Sequence, residues 1–245
     1  MIKKLLSAVI ICIAAGLVSG LYAQNISGIV NYRGEMNKKY VDSFVVALNS
    51  NKEIPMSTKQ AVTRMYRDAT PDTYILSFKG AESYYYYVKP LEDETVPYNV
   101  GSKAGLTSYY TNNKTKEMIM TNSGLGDVLM NKNIKWDITQ TSKKIGKYTC
   151  YKAIFANQTY GKKKTVAWFT PEISVNFGPK YYKGLPGLIL QIETQMFSLT
   201  ATKVTLNPNE SDLKIERVKN RKQLISMEEY SKRATEIREN HRKQR

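Results

Sequence analysis

Apolar and polar residues alternate along much of this chain with the period of two that half-buried β-strands require. The first such segment is 26–33, in which Val30 and Tyr32 are separated by Asn31. From residue 73 to about residue 206, short runs rich in β-branched and aromatic residues are separated by Gly, Asn, Asp and Lys. We predict further strands at 74–78, 83–88, 107–112, 117–121, 127–130, 134–141, 148–155, 165–169, 187–193 and 196–204.

The spacing of these strands indicates how they connect. Short strands joined by short polar segments are typical of antiparallel meanders, whereas parallel sheets need crossover helices between strands. The sequence therefore predicts a mainly β (α+β) fold in a domain spanning 24–212. We expect a curved antiparallel sheet or half-barrel with small helices against its concave side, similar in plan to periplasmic lipoprotein-carrier folds.

Two short helices are predicted before the second strand, at 40–48 and 57–69. Ser57, followed three places later by Gln60, has the spacing of a capping box and favours a helix start there. We expect the second helix to use Ala61, Met65 and Tyr66 for its inner face.

The end of the chain is predicted to form a separate unit, a basic amphipathic helix in 213–245. Ser226 and Glu229 repeat the capping-box spacing, which indicates where the helix begins. A narrow apolar stripe would pack against the rest of the protein, and it consists of Tyr230, Ala234 and Ile237.

The N-terminus has the three-part plan of a secretory signal peptide. Lys3 and Lys4 precede an almost unbroken apolar stretch at 5–18, and the small residue Ala23 follows. We therefore predict that residues 1–23 are a signal peptide and that the mature protein is exported to the periplasm or associates with the outer membrane. Cys12 is interpreted as one more apolar residue of this segment, because no small residues precede it as in a lipid-anchored protein.

The chain is strongly basic, with a formal net charge of +16 that falls by two if Lys3 and Lys4 are removed. A basic protein suits anionic partners, and the terminal unit 213–245 would contact anionic lipid or lipopolysaccharide. Export makes nucleic acid the weakest of these partners. An apolar ligand or an outer-membrane protein is the other partner class that we expect.

Few residues could support catalysis or metal binding. After removal of the signal peptide, Cys150 is the only cysteine and His241 the only histidine, so no internal disulfide can form. Zinc and copper sites need several such ligands, and nucleophilic triads need a histidine base, so we predict no metal, no cofactor and no triad. Cys150 lies in a predicted strand and is expected to be buried and inert. A carboxylate pair or a Ser/Lys dyad stays open.

The most distinctive segment centres on a proline–glycine pair at 186–187. Pro186 fixes φ at the second position of a turn and Gly187 tolerates a positive φ at the third, which predicts a type II turn. The apolar run that follows would begin a buried strand. A structural role is the main interpretation, and partner docking is the alternative. The motif residues are Gly184, Leu185, Pro186, Gly187, Leu188 and Ile189.

These six residues spell GLPGLI, and their surroundings carry a resemblance to a known family. The blocks at 150–153, 167–170 and 177–179 precede the hexapeptide as they do in the GLPGLI family of exported proteins, found mainly in Bacteroidota. The resemblance implies an exported protein whose function is undetermined. It carries over no catalytic residues, and it is much weaker in 26–130.

Four successive tyrosines at 84–87 suggest a surface for a ligand. In a strand, alternate tyrosines face opposite sides, so one pair would enter the core and the other would line an outer or concave face. The candidate ligand contacts are Tyr84, Tyr86 and Trp168. Together these features predict a non-enzymatic envelope module that binds an apolar ligand or an outer-membrane partner. A carboxylate-dependent periplasmic hydrolase is the alternative.

Overall fold

A computed structural model describes residues 26–90, 100–121, 123–158, 163–218 and 220–243. Twelve strands in this part of the chain form one sheet, accompanied by three α-helices. The strands are β1 Ser27–Met36, β2 Asp72–Lys79, β3 Glu82–Tyr87, β4 Ser108–Asn112, β5 Glu117–Thr121, β6 Val128–Leu129, β7 Trp136–Ile145, β8 Tyr148–Phe155, β9 Val166–Thr170, β10 Leu188–Glu193, β11 Phe197–Leu206 and β12 Ile225–Ser226. The helices are α1 Lys38–Ser50, α2 Met56–Arg67 and α3 Met227–Lys243.

The sheet is open, with the order β12-β6-β5-β4-β3-β2-β1-β11-β10-β9-β8-β7. Its pairs are antiparallel except for β12 with β6, which makes the sheet mixed. The predicted mainly β fold class is confirmed, and every predicted strand segment overlaps one of β1–β11. The two-residue strand β12 was not predicted, because so short an element has no readable alternation.

β1 lies at the centre of the sheet and pairs with strands from both early and late parts of the chain. It pairs with β2 on one side, where Tyr32 faces Tyr74, and with β11 on the other. The pairs with β11 run from Gly28–Leu206 to Met36–Phe197. Residues far apart in sequence therefore hold the middle of the sheet together.

One face of the sheet carries the main core, which is unusually rich in tyrosine. Tyr32, Tyr74 and Tyr85 are almost fully buried there, and the Tyr74 and Tyr85 rings stack with centroids 5.5 Å apart. Tyr109 adds a further ring 6.2 Å from Tyr85. Such rings contribute large apolar areas, and burial in the apolar core raises the pKa of Tyr85 well above its ordinary value. The protein's own side chains thus fill this side of the sheet.

Helices α1 and α2 pack mainly against each other. The rings of Phe44 and Tyr66 stack with centroids 4.1 Å apart, and Lys59 donates a hydrogen bond to the Asn49 carbonyl across 3.0 Å. Asn37 fixes the start of α1 by donating to the Thr194 carbonyl at 2.7 Å.

The details at the start of α2 differ from prediction. The capping box at Ser57 is not formed, because the helix begins one residue earlier with Pro55 at its N-cap. The fixed φ of Pro55 suits the entry into the helix, and no side chain caps the first turn. Ala61 is exposed rather than inward-facing, whereas Met65 and Tyr66 are half-buried.

After β11 the chain turns back over the sheet before it becomes helical. Within 213–245, the helix α3 occupies Met227–Lys243, and residues 213–218 form an extended segment that we call the strap. The cap of α3 is present, since the Glu229 backbone N–H donates to Ser226 Oγ at 3.1 Å. Tyr230 and Ala234 are half-buried, whereas Ile237 is 44% exposed.

The predicted signal peptide at 1–23, including Cys12, lies outside the described residues. In the part of the chain that is described, no helix has the length and apolar character needed to cross a membrane.

Candidate functional site

The hexapeptide at 184–189 forms the end of the loop from β9 to β10 and the start of β10 itself. Gly184 and Gly187 both have positive φ, +90° and +154°, in a region that side chains other than glycine rarely adopt. Leu185, Leu188 and Ile189 are fully buried, whereas Pro186 is exposed. The segment therefore alternates glycines at positive φ with leucine and isoleucine side chains that are buried in the core.

Gly187 is held against the end of β9. A Cβ atom at this position would lie 2.1 Å from the Thr170 carbonyl oxygen, which is part of the backbone. The Gly187 N–H donates to the Leu185 carbonyl at 2.8 Å, and the Leu188 N–H donates to Ile173 at 3.0 Å. The predicted type II turn is therefore wrong. A three-residue turn closed by the hydrogen bond from Gly187 to Leu185 takes its place, because Gly187 has a φ of +154° and a type II turn requires about +80° there.

The second half of the hexapeptide fixes the loop to the centre of the sheet. Tyr32 on β1 donates its buried hydroxyl to the Ile189 carbonyl at 2.5 Å, and the Ile189 N–H donates to Phe177 at 3.0 Å. Gly178 approaches so closely that a Cβ there would lie 2.8 Å from Ile189 Cβ. These contacts hold the second half of the hexapeptide against β1 and the loop.

A groove of about 850 Å³ lies in front of this loop. Its walls are residues 174–177 and 185–187 of the loop, the β2–β3 turn at Gly80 and Ala81, and the β4–β5 turn at Asn113 and Lys114. This volume is within the range of ligand sites in proteins. The groove therefore brings the exposed Pro186 side of the hexapeptide together with two turns that are distant in sequence.

Side-chain amides connect the walls of the groove. Asn113 donates from its amide nitrogen to Asn176 Oδ1, and its own Oδ1 accepts a hydrogen bond from Lys183 Nζ at 3.2 Å. Partial burial lowers the pKa of Lys183. Lys114 is exposed at the rim. Among the described lining residues there is no Asp or Glu.

The candidate contacts Tyr84 and Tyr86 lie on the face of β3 opposite the main core, and their rings stack at 5.4 Å. Tyr84 joins Tyr110 and Ile119 in a small second cluster, which Ile215 and Val218 of the strap cover. Tyr84 is only 2% exposed and donates its hydroxyl to Glu216 at 2.8 Å. The chain's own strap thus occupies the surface that the tyrosines were predicted to offer.

Ion pairs fasten the strap and its flanks to the strands. Arg217 binds Glu82, Lys79 binds Glu210, and Arg221 lies 2.9 Å from Glu117. The hydrogen bond from Arg217, with its charge, holds the pKa of Glu82 below its usual range.

Trp168, the third candidate contact, is also engaged within the protein. Its Nε1 donates to Glu193 Oε1 at 3.1 Å, and Lys143 Nζ lies 4.0 Å from its ring centroid. Only 9% of the residue is exposed. The structure therefore does not bring Trp168 together with Tyr84 and Tyr86, nor with the groove at the hexapeptide.

Comparison with known proteins gives one family match. Residues 155–191 match the family described as "Protein of unknown function (Porph_ging)". The matched segment contains β9, the loop and the whole hexapeptide, and it includes the predicted blocks at 167–170 and 177–179 but not the block at 150–153. It is a short part of the chain, and its centre is the loop wall of the groove.

Similarity to solved structures is remote. The chain is 14% identical to PNGF-II in a C2 crystal form, with a TM-score of 0.48, and in a P21 form the TM-score is 0.47. In both cases the similarity covers 82% of this chain and 31% of that chain. No curated protein sequence matches the chain.

The described carboxylates with a shifted pKa belong to ion pairs. Among the described carboxylates, those with a shifted pKa are all lowered by basic partners: Glu82, Glu210, Glu216 and Glu229. A general acid needs the opposite shift. Burial raises the pKa of Cys150 to about 11, which keeps this thiol protonated. No cluster that could hold a metal occurs among the described residues.

The sequence did not indicate the groove residues Asn113, Lys114 and Asn176, nor Lys183, which donates to Asn113. The local pattern at 112–114 indicates a turn and nothing more. The position of this turn opposite the hexapeptide depends on the order of the strands in the sheet, which the local sequence does not indicate.

Proposed function

We propose that this protein is an exported, non-enzymatic binding or accessory module of the cell envelope that docks an outer-membrane partner. The observation that carries this proposal is the groove of about 850 Å³ at the hexapeptide. Its loop wall is held rigidly by Gly187, Ile189 and Tyr32, whereas the surface of the groove is accessible to a partner. A rigid scaffold that presents a loop surface is typical of binding sites.

The groove supports a docked partner better than an apolar ligand inside the sheet. The main core is filled by buried tyrosines, and the opposite face at Tyr84 is covered by the strap. The alternative of a carboxylate-dependent hydrolase would need a carboxyl group with a raised pKa. The lowered pKa values of the shifted carboxylates give that alternative no support.

We also propose that the chain is a GLPGLI-family protein with a cleaved signal peptide at residues 1–23. The complete hexapeptide at 184–189, inside the segment that matches the family model, supports the first part. The charged, apolar and small-residue order of the N-terminus supports the second. Periplasmic or outer-membrane location follows from export.

Site-directed photo-cross-linking tests the docking function. A photoreactive residue replaces the exposed Ser174 in the groove wall, and a matched variant carries it at the exposed Ser43 of α1. The full chain is expressed in its own cells and irradiated. We expect a discrete cross-linked product with one envelope protein from position 174 only. Identical products from both positions, or none from either, would refute docking in the groove.

A further inference from the structure

We infer that the groove at the hexapeptide receives an extended, acidic peptide segment of the partner. This inference rests on the proposed docking function and deepens it by naming the chemistry of the bound segment.

The charge around the groove is one-sided. Lys114 is exposed at the rim, and Lys183 Nζ reaches Asn113 Oδ1 in the wall. The carboxylates nearest in sequence are turned elsewhere: Glu82 binds Arg217 and Glu117 binds Arg221. A carboxylate in the groove would therefore meet the exposed Lys114 and no fixed negative charge among the described lining residues, while Lys183 adds positive charge next to Asn113.

The contacts of Glu172 also support the basic character of the groove. Glu172 lies close to the groove wall in sequence, but its carboxylate accepts the Thr149 backbone N–H at 2.7 Å, on the β7–β8 side. Lys183 is partly desolvated, which lowers its pKa. An opposite charge beside it would stabilise the protonated amine and raise that pKa again.

The polar groups of the walls suit a peptide backbone. Asn176 is exposed in the groove wall, and its amide can donate to and accept from a peptide backbone. The N–H groups of Gly80, Asn113 and Lys114 instead donate within the protein and hold the two turns in place. Glycans are usually held by stacking on exposed rings. The aromatic residue among the lining residues, Phe177, is 2% exposed and cannot stack on a sugar. The surface thus favours a peptide over a polysaccharide.

The size of the groove limits the bound segment to a few residues. An extended chain rises about 3.3 Å per residue, and sites of this volume accommodate small ligands or short peptides. A folded domain would contact only the rim, whereas a terminal or loop segment could enter.

Fluorescence anisotropy with the purified full chain tests the inference. The probe is a fluorescein-labelled octapeptide of alternating Asp and Ser, and its counterpart has Asn in place of every Asp. We expect the acidic peptide to bind more tightly, with an affinity that falls as salt is raised. Lys114→Glu should weaken it by about fivefold or more, since one favourable charge contact becomes a repulsion.

Matched variants separate the effect of charge at Lys114 from the effect of blocking the groove. Lys39→Glu makes the same change of charge on the exposed face of α1 and should leave the affinity unchanged. Lys114→Gln should give an intermediate loss. Ser174→Trp fills the groove and should abolish binding of both peptides. Circular dichroism of each variant checks that the fold is retained.

The outcomes distinguish the inference from the proposed function. Equal binding of both peptides, abolished by Ser174→Trp, would overturn the acidic segment but keep peptide docking. A cross-linked partner at position 174 with no binding of either peptide would overturn the peptide and keep the docking function. The absence of both binding and cross-linking would refute the two together.

Discussion

Gly187→Ala should destabilise the protein far more than an ordinary glycine-to-alanine change. Two costs add at this position. The φ of +154° lies in a region that is sparsely populated for side chains, which costs about 1–3 kcal/mol. The new Cβ would also lie 2.1 Å from the Thr170 carbonyl oxygen and 2.9 Å from Pro171 Cα. Because these neighbours are backbone atoms, relief requires β9 to move, at a further cost of about 1–3 kcal/mol.

The expected loss for Gly187→Ala is therefore about 4 kcal/mol, a large part of the roughly 5–15 kcal/mol that stabilises a typical domain. Gly184→Ala is the matched control, because its φ is also positive, at +90°, but nothing lies within 4 Å of the added Cβ. It should lose only about 1 kcal/mol.

Urea unfolding, followed by tryptophan fluorescence and circular dichroism, measures both variants against the wild type. Trp168 lies on β9 and reports on the strand that must shift. The reasoning would be refuted if the two variants had the same free energy of unfolding within about 0.5 kcal/mol, a margin typical of neutral surface changes.

Three further predictions concern other contacts. Tyr32→Phe should cost about 1–3 kcal/mol in urea unfolding, because the buried Ile189 carbonyl loses its donor; a cost below about 0.3 kcal/mol would contradict this. Arg217 lowers the pKa of Glu82, so their ion pair stabilises the fold above about pH 4.5. This contribution to the free energy of unfolding is lost as the pH falls. Between about pH 6 and about pH 3, Glu82→Gln should therefore lose less stability than the wild type, and equal losses would exclude the ion pair as a contributor. Cys150 should not react with a thiol reagent at neutral pH until urea unfolds the protein, because burial raises its pKa to about 11; rapid labelling of the native state would refute this.

The strands could be predicted from sequence because their determinants are local. Alternation and turn residues specify each strand within a few positions, and the cap at Ser226 lies within three residues of its partner Glu229. The same holds for the positive φ at Gly187. The alternation at 84–87 also correctly separated Tyr84 from Tyr85, which enters the main core.

The remaining features depend on contacts between distant residues. Nothing near Tyr84 indicates that Glu216 will accept its hydroxyl, or that Ile215 will cover its ring. The turn at Pro186 could not be assigned because its geometry is decided by Ile173, which takes the N–H of Leu188. The groove likewise arises where the turn at 113–114 meets the hexapeptide loop.

The central position of β1 has a consequence for how the chain acquires its structure. The partners of β1 are β2, which follows within a few dozen residues, and β11, which ends at Leu206. Until β11 has been synthesised, β1 can pair only with β2, and its other edge lacks a partner. The sheet therefore has a high contact order, and its middle closes late. The β11-facing edge of residues 27–36 therefore stays unpaired until nearly all of the sheet has been synthesised.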